Sequence, residues 1–179
     1  NLPNRVLLSD RLNRAMVQCQ RSNGSLAVAF IDLDGFKAIN DNHGHNIGDE
    51  LLVILSKRMK EALREEDTLA RIGGDKFIAV MVELEKIEDG EPVLQRLLKA
   101  AADPVILADT SMQVSASIGV TLYPQDGADA EQLMGHADQA MYSAKQAGKN
   151  RYHLFDTAKN RAVKTQRQSI GDVRSALQR

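Results

Sequence analysis

The 179-residue chain has a single cysteine, Cys19, so no internal disulfide can form, and a reducing cytoplasm suits it. It has almost no excess of either charge: the formal net charge is −1. That excludes a general nucleic-acid binder, which would be basic, although a local basic patch stays open. It lacks any long apolar run. "LAVAFI" and "LLVIL" are far too short to span a bilayer, so no membrane contact is expected of this segment. There is no signal-peptide pattern, no internal repeat and no low-complexity stretch. The chain begins abruptly, on "NLPNR", and reads as a piece of something longer.

What is present is an ordinary globular composition, 43% apolar, enough for one domain with its own core. Residues from about Asn4 to Arg21 carry Val6, Leu7, Leu12, Met16 and Val17 at helical spacing, with Cys19 on the apolar side as a core residue. "NGS" breaks that helix. "LAVAFIDLD" is apolar on both faces and predicts a central strand of a covered sheet, ending in two acids. After a short "FKAIND" segment and a Gly-rich "NHGHNIGD" loop, Leu52, Leu55, Met59 and Leu63 mark an amphipathic helix from Asp49 to about Arg64. His43 and His45, placed in that loop, read as turn-stabilising residues rather than a metal pair. Leu69 to Val82 predicts a hairpin. "PVLQRLLKAAAD" predicts a helix with Pro92 in its first turn. "DPVILADTSMQVSASIGVTLYP" predicts two strands, the second long and alternating. "DAEQLMGHADQAMYSAKQAG" predicts a helix ending at Gly148, and "NRYHLF" a last short strand. The order predicts an α/β sandwich of α+β type, in which helices flank a central, mainly antiparallel sheet.

The hairpin tip, in "LARIGGDKFIAV", carries two glycines, a carboxylate and a lysine. A tight turn would explain the glycines. So would the close approach of an anionic ligand to the backbone of Gly73 and Gly74, which lack a Cβ. Asp32 and Asp34 at the strand end, with Asp75 on a neighbouring glycine turn, are hard-cation ligands of the kind magnesium shares with phosphate oxygens. Two such ions can clamp the attacking and leaving oxygens of a phosphoryl transfer.

Taken together, "NLPNR", "IDLDGFKAINDNHGHNIGDELL", "ARIGGDKF", "SIGVTLYP" and "ADQAMYSAKQAGKNRY" resemble, in order, the motifs of the GGDEF domain, the diguanylate cyclase family. The resemblance covers residues 1 to about 155. It implies a nucleotide-cyclase or polymerase-palm-like fold and the condensation of two GTP into cyclic di-GMP by a homodimer. It implies Mg²⁺ or Mn²⁺ held by Asp32, the Leu33 carbonyl and Asp75, with Asp75 and Asp32 catalytic. Asn40 and Asp49 would read guanine, whose edge offers one acceptor and two donors. Lys37, Gly73, Gly74, Lys145 and Lys149 would hold phosphates, Lys149 standing where the family usually has arginine. Arg64 and Asp67, in "REED", stand at the offset of the family's inhibitory cyclic di-GMP site. The tail from Asp156 to Arg179 resembles the connector helix to a downstream EAL phosphodiesterase domain, so an EAL partner in cis and an upstream sensor are expected. The resemblance places this domain in the cytoplasm and leaves room for a membrane anchor elsewhere in the full-length protein.

One position departs from the family. Its fourth name-motif residue is an acid, and here it is Lys76. The local charge changes by two units, each worth roughly 3 kcal/mol at about 5 Å and an effective dielectric near 20, before discounting for solvent. Three functions follow: an active cyclase, a GTP-binding regulatory module with impaired or conditional cyclase activity, and a cyclic di-GMP receptor working through Arg64 and Asp67. Lys76 itself could meet the triphosphate in place of a cation.

Overall fold

The computed structural model describes residues 2–156. Its centre is β1 (Ser25–Asp34), buried along its whole length. β1 pairs antiparallel with β3 (Lys76–Leu84) on one side and β6 (Ser115–Tyr123) on the other. β2 (Thr68–Gly73) extends the sheet antiparallel beyond β3, and β7 (Arg151–Leu154) extends it parallel beyond β6. The strand order β2-β3-β1-β6-β7 is the mainly antiparallel sheet expected from the sequence.

Alternation along β1 sorts its side chains into two layers. Leu26, Val28 and Phe30 pack with α1 (Arg5–Ser22) and α5 (Ala130–Gln146). Ala27, Ala29, Ile31 and Leu33 pack with α2 (Phe36–His43), α3 (His45–Ala62) and α4 (Glu91–Ala102) on the other face. The same parity assigns Asp32 and Asp34 to the α5 side. Helix α4 starts with Pro92 in its first turn, and Gly148, at φ 126°, follows the end of α5. Tyr152 of β7 hydrogen-bonds Glu91 at 2.6 Å. Burial, with that carboxylate beside it, pushes the phenol up to about 12.

Four local expectations are corrected. The buried stripe of α1 is Leu8, Leu12, Met16 and Cys19, whereas Val6, Leu7 and Val17 are exposed. Two overlapping stripes share this sequence, and only the sheet beneath chooses between them; Cys19 is core as expected. "NHGHNIGD" is not a loop. Helix α2 runs through His43, α3 starts at His45, and Gly44, at φ 89°, makes the corner. His43 and His45 are therefore exposed helix-end residues. The segment after α4 forms three strands, with β4 (Val105–Leu107) and β5 (Thr110–Met112) in a small hairpin of their own. Finally, β6 is buried on both faces rather than alternating, because α5 lies directly on it. A Cβ at Gly119 would stand 2.0 Å from the Ala137 carbonyl oxygen and 2.0 Å from the Met141 nitrogen. The connector expected over 156–179 lies, apart from Asp156, outside the described residues.

Gly119→Ala is therefore expected to lower stability by at least about 1–3 kcal/mol, since backbone atoms must shift to admit one methyl group. Chemical denaturation measures the loss, and an unchanged midpoint would show that α5 lifts freely from β6.

Candidate active site

The antiparallel pairing sets Asp32 opposite Lys76 on one side and Ser117 on the other. The Leu33 N–H donates to the Asp75 carbonyl at 3.1 Å, so the strand end and the hairpin tip are held together. Asp32 is 8% exposed at its side chain, and its Oδ2 receives two ammonium groups. Lys76 Nζ lies 3.1 Å away and Lys145 Nζ 3.2 Å away. Lys76 Nζ is also 3.9 Å from Asp75 Oδ1. At the tip, the Arg71 side chain donates to the Gly74 carbonyl at 2.9 Å. Neither Gly73 nor Gly74 adopts a left-handed φ, and a Cβ at either would meet open space. Turn geometry therefore does not require these glycines. What their lack of side chains provides is access to the backbone.

Asp34 is fully engaged. Ser117 and Ser115 each donate to it at 2.8 Å, Lys145 Nζ lies 3.1 Å away, and the Asn150 N–H donates at 3.3 Å. Burial alone would raise this carboxyl, but the bonds from Ser117, Ser115, Lys145 and Asn150 outweigh it and hold the group below its ordinary value. Asp34 thus braces the end of β1 to β6 and to the turn after α5. The "SAS" spacing puts Ser115 and Ser117 on one strand face, a signal the sequence does carry. Lys145 is disfavoured as a cation by burial, yet its hydrogen bond to Asp34 and the field of Asp32 raise its pKa. It is not part of a solvated helix end. Lys149 lies beyond that end, exposed, at φ 65°.

The expected base-reading residues lie on α2 and α3. Asp49 lines an open groove of about 910 Å³ together with Leu2, Leu52, Val53, Lys57 and Arg71. Asn40 packs where α2 meets α3, and a Cβ at Gly48 would come within 1.8 Å of its Oδ1. That oxygen is buried and has no hydrogen-bond partner among the described residues. Gly48, absent from the expected site, is what makes room for Asn40. Lys37 is exposed on α2.

Arg64 and Asp67 form a compact buckle before β2. Asp67 accepts from the Arg64 backbone N–H at 3.0 Å, from Arg64 Nε at 3.2 Å and Nη2 at 3.1 Å, and from the Val82 N–H at 3.1 Å. Arg64 also donates to the Val82 carbonyl. The Asp67 side chain is fully buried, while that of Arg64 is 32% exposed. The hydrogen bond to Asp67 pushes the guanidinium pKa further up. This is not the exposed, weakly coupled ion pair that a lone Arg-x-x-Asp usually forms.

A family model described as "Diguanylate cyclase, GGDEF domain" matches residues 1–151. The chain belongs to the GGDEF family. It is 43% identical over 178 residues to the bifunctional diguanylate cyclase/cyclic di-GMP phosphodiesterase MucR of Pseudomonas aeruginosa, covering 99% of this chain and 26% of MucR. The chain thus spans about a quarter of that relative's length. The solved GGDEF domain of TpbB from P. aeruginosa superposes with a TM-score of 0.86 at 35% identity, covering 91% of this chain and 95% of that one. The coiled-coil and GGDEF domain of DgcB from Caulobacter crescentus, solved with cyclic di-GMP, gives a TM-score of 0.78 at 25% identity, covering 86% and 82% of the two chains. This GGDEF domain is therefore a member of the cyclic di-GMP signalling family, with the mixed sandwich of its solved relatives. No helix among the described residues is long and apolar enough to cross a membrane.

In this arrangement two ammonium groups compete with a divalent ion for Asp32. The oxygen of Asp32 that would take it already carries two ammonium groups. Among the described residues no group of three or more His, Cys, Asp or Glu side chains is placed to hold a metal. In this GGDEF domain the cation between Asp32 and Asp75 is Lys76.

The buckle yields a stability prediction. Asp67→Ala leaves the Arg64 guanidinium and the Val82 N–H without their acceptor, and is expected to cost about 2–3 kcal/mol. Arg64→Ala should cost less, because its side chain is partly solvated. Urea titration of the two variants reads the order directly, and the reverse order would place the anchor in the arginine.

Proposed function

We propose that this domain binds GTP and has impaired or conditional diguanylate cyclase activity, and that it regulates a domain attached to it. The reaction in question joins two GTP into cyclic di-GMP and releases two diphosphates. Each ribose 3′-hydroxyl attacks the α-phosphorus of the other nucleotide, so two loaded domains must meet face to face. The observation that carries the reading is Lys76 Nζ at 3.1 Å from Asp32, where the family has an acid. Family membership supports a GTP site, with Asn40 and Asp49 as the base-reading candidates. Asp49 supplies an acceptor at the groove. Lys37, Lys145 and Lys149 are the phosphate-holding candidates. In this reading a divalent ion is taken up poorly while Lys76 occupies Asp32 and Asp75. The name of MucR pairs a diguanylate cyclase with a cyclic di-GMP phosphodiesterase, which supports a phosphodiesterase (EAL) domain in cis as the regulated partner. The homodimer follows from the need for two loaded domains to meet.

Incubating the purified domain with GTP and Mg²⁺, then separating the nucleotides, tests the activity. Lys76→Glu is expected to raise cyclic di-GMP output at least about tenfold, or about 1.4 kcal/mol in the barrier. The gain should be clearest at high protein concentration, and Asp75→Asn on that background should remove it. A wild type as active as Lys76→Glu would establish a fully active cyclase instead. Base selection has its own test. GTP should bind at least about tenfold more tightly than ATP, because the wrong base leaves buried polar groups unpaired. Asp49→Ala should abolish that preference in calorimetry without unfolding the protein.

The buckle supports a second reading, a cyclic di-GMP site at Arg64. Asp67 would hold the guanidinium in place, and the exposed part of Arg64 would meet the ligand. Arg64→Ala should then remove cyclic di-GMP binding and leave GTP binding unchanged. Affinity that survives the substitution would locate the ligand elsewhere.

A further inference from the structure

Lys76 and Lys145 converge on one oxygen of Asp32, at 3.1 and 3.2 Å, and Lys76 also reaches Asp75 while Lys145 reaches Asp34. We propose that the two lysines are a built-in cation pair that binds the polyphosphate of a nucleoside triphosphate without a divalent metal. This rests on the GTP-binding reading above and specifies how that site works.

The charge count points this way. A glutamate with one bound dication carries a net +1, and Lys76 alone carries the same charge. Three carboxylates and two ammonium groups leave this cluster at −1, whereas an acid at position 76 would leave it at −3 and in need of a dication. Lys76 is the lysine with room to turn, while Lys145 stays anchored on Asp34 within reach of the same ligand. The Lys76 side chain is 46% exposed and that of Lys145 is 27% exposed. When Lys76 turns, Asp32 keeps its pairing with Lys145, and an ammonium on a flexible four-carbon stem can exchange a carboxylate for a phosphate oxygen. Access is open on the tip side, where Gly73 and Gly74 present bare backbone. The first turn of α2 follows Asp34 directly, and its N-cap, Gly35, makes no side-chain capping bond. Those amides are further donors to an anion beside the two lysines.

The test is calorimetric titration of the 179-residue chain with a non-hydrolysable GTP analogue, once in EDTA and once in Mg²⁺. The wild-type dissociation constants should agree within about threefold, Lys76→Ala should bind at least about tenfold more weakly in EDTA, and Lys76→Glu should bind only with Mg²⁺. Wild-type binding that weakens tenfold or more in EDTA overturns the proposal and leaves the nucleotide reading intact. Unchanged affinity of Lys76→Ala in EDTA also overturns it. No binding in either buffer overturns both readings. The wild-type comparison needs no variant, so a substitution that fails to fold leaves it decisive.

Discussion

β1 is buried along all its length and yet ends in two carboxylates, and that conflict shapes much of the domain. A buried carboxylate needs hydrogen bonds or a paired cation, because the desolvation of an isolated charge is far too costly. Asp34 is answered by two serines of β6, by Lys145 of α5 and by a backbone N–H after α5. Asp32 is answered by Lys145 and Lys76. The demands of two residues therefore fix what one strand, one helix end and one hairpin tip must supply. The Gly119 contact belongs to the same arrangement, since it lets α5 lie close enough to β6 for its last turn to reach the strand end.

Much of this was legible in the sequence. A run apolar on both faces and closed by acids gave the central strand, and the hairpin pattern put Asp75 beside it. Pro92 and Gly148 marked a helix start and a helix end that the structure keeps. What was not legible depended on neighbours distant in the chain. The face of α1 was misassigned because two apolar stripes overlap in its sequence. β6 read as an alternating strand because nothing in "SASIGVTLY" announces a helix lying on it. "NHGHNIGD" read as a loop because two of its glycines look like breakers, yet Gly48 sits inside α3 to make room for Asn40. The depth of Asp67 was also hidden, since Arg-x-x-Asp spacing is the same whether the acid faces solvent or accepts a backbone N–H from the next strand.

The candidate site separates into a part that belongs to the family and a part that belongs to this chain. The strand-end carboxylates, the bare glycine tip, the helix junction at Asn40 and the Arg64–Asp67 buckle all fall in or beside stretches that resemble the motifs of the family. The charge between Asp32 and Asp75 departs from them. There the cation is covalently part of the chain, its position set by the pairing of Asp32 with Lys76.

That pairing is made by main-chain atoms, and the side chain it carries is about half exposed. Exchange of the side chain thus reverses a charge without disturbing a packed neighbour. In the genetic code, glutamate and lysine codons differ by one G-to-A transition at the first base. A single nucleotide is enough to change the charge beside Asp32 by two units.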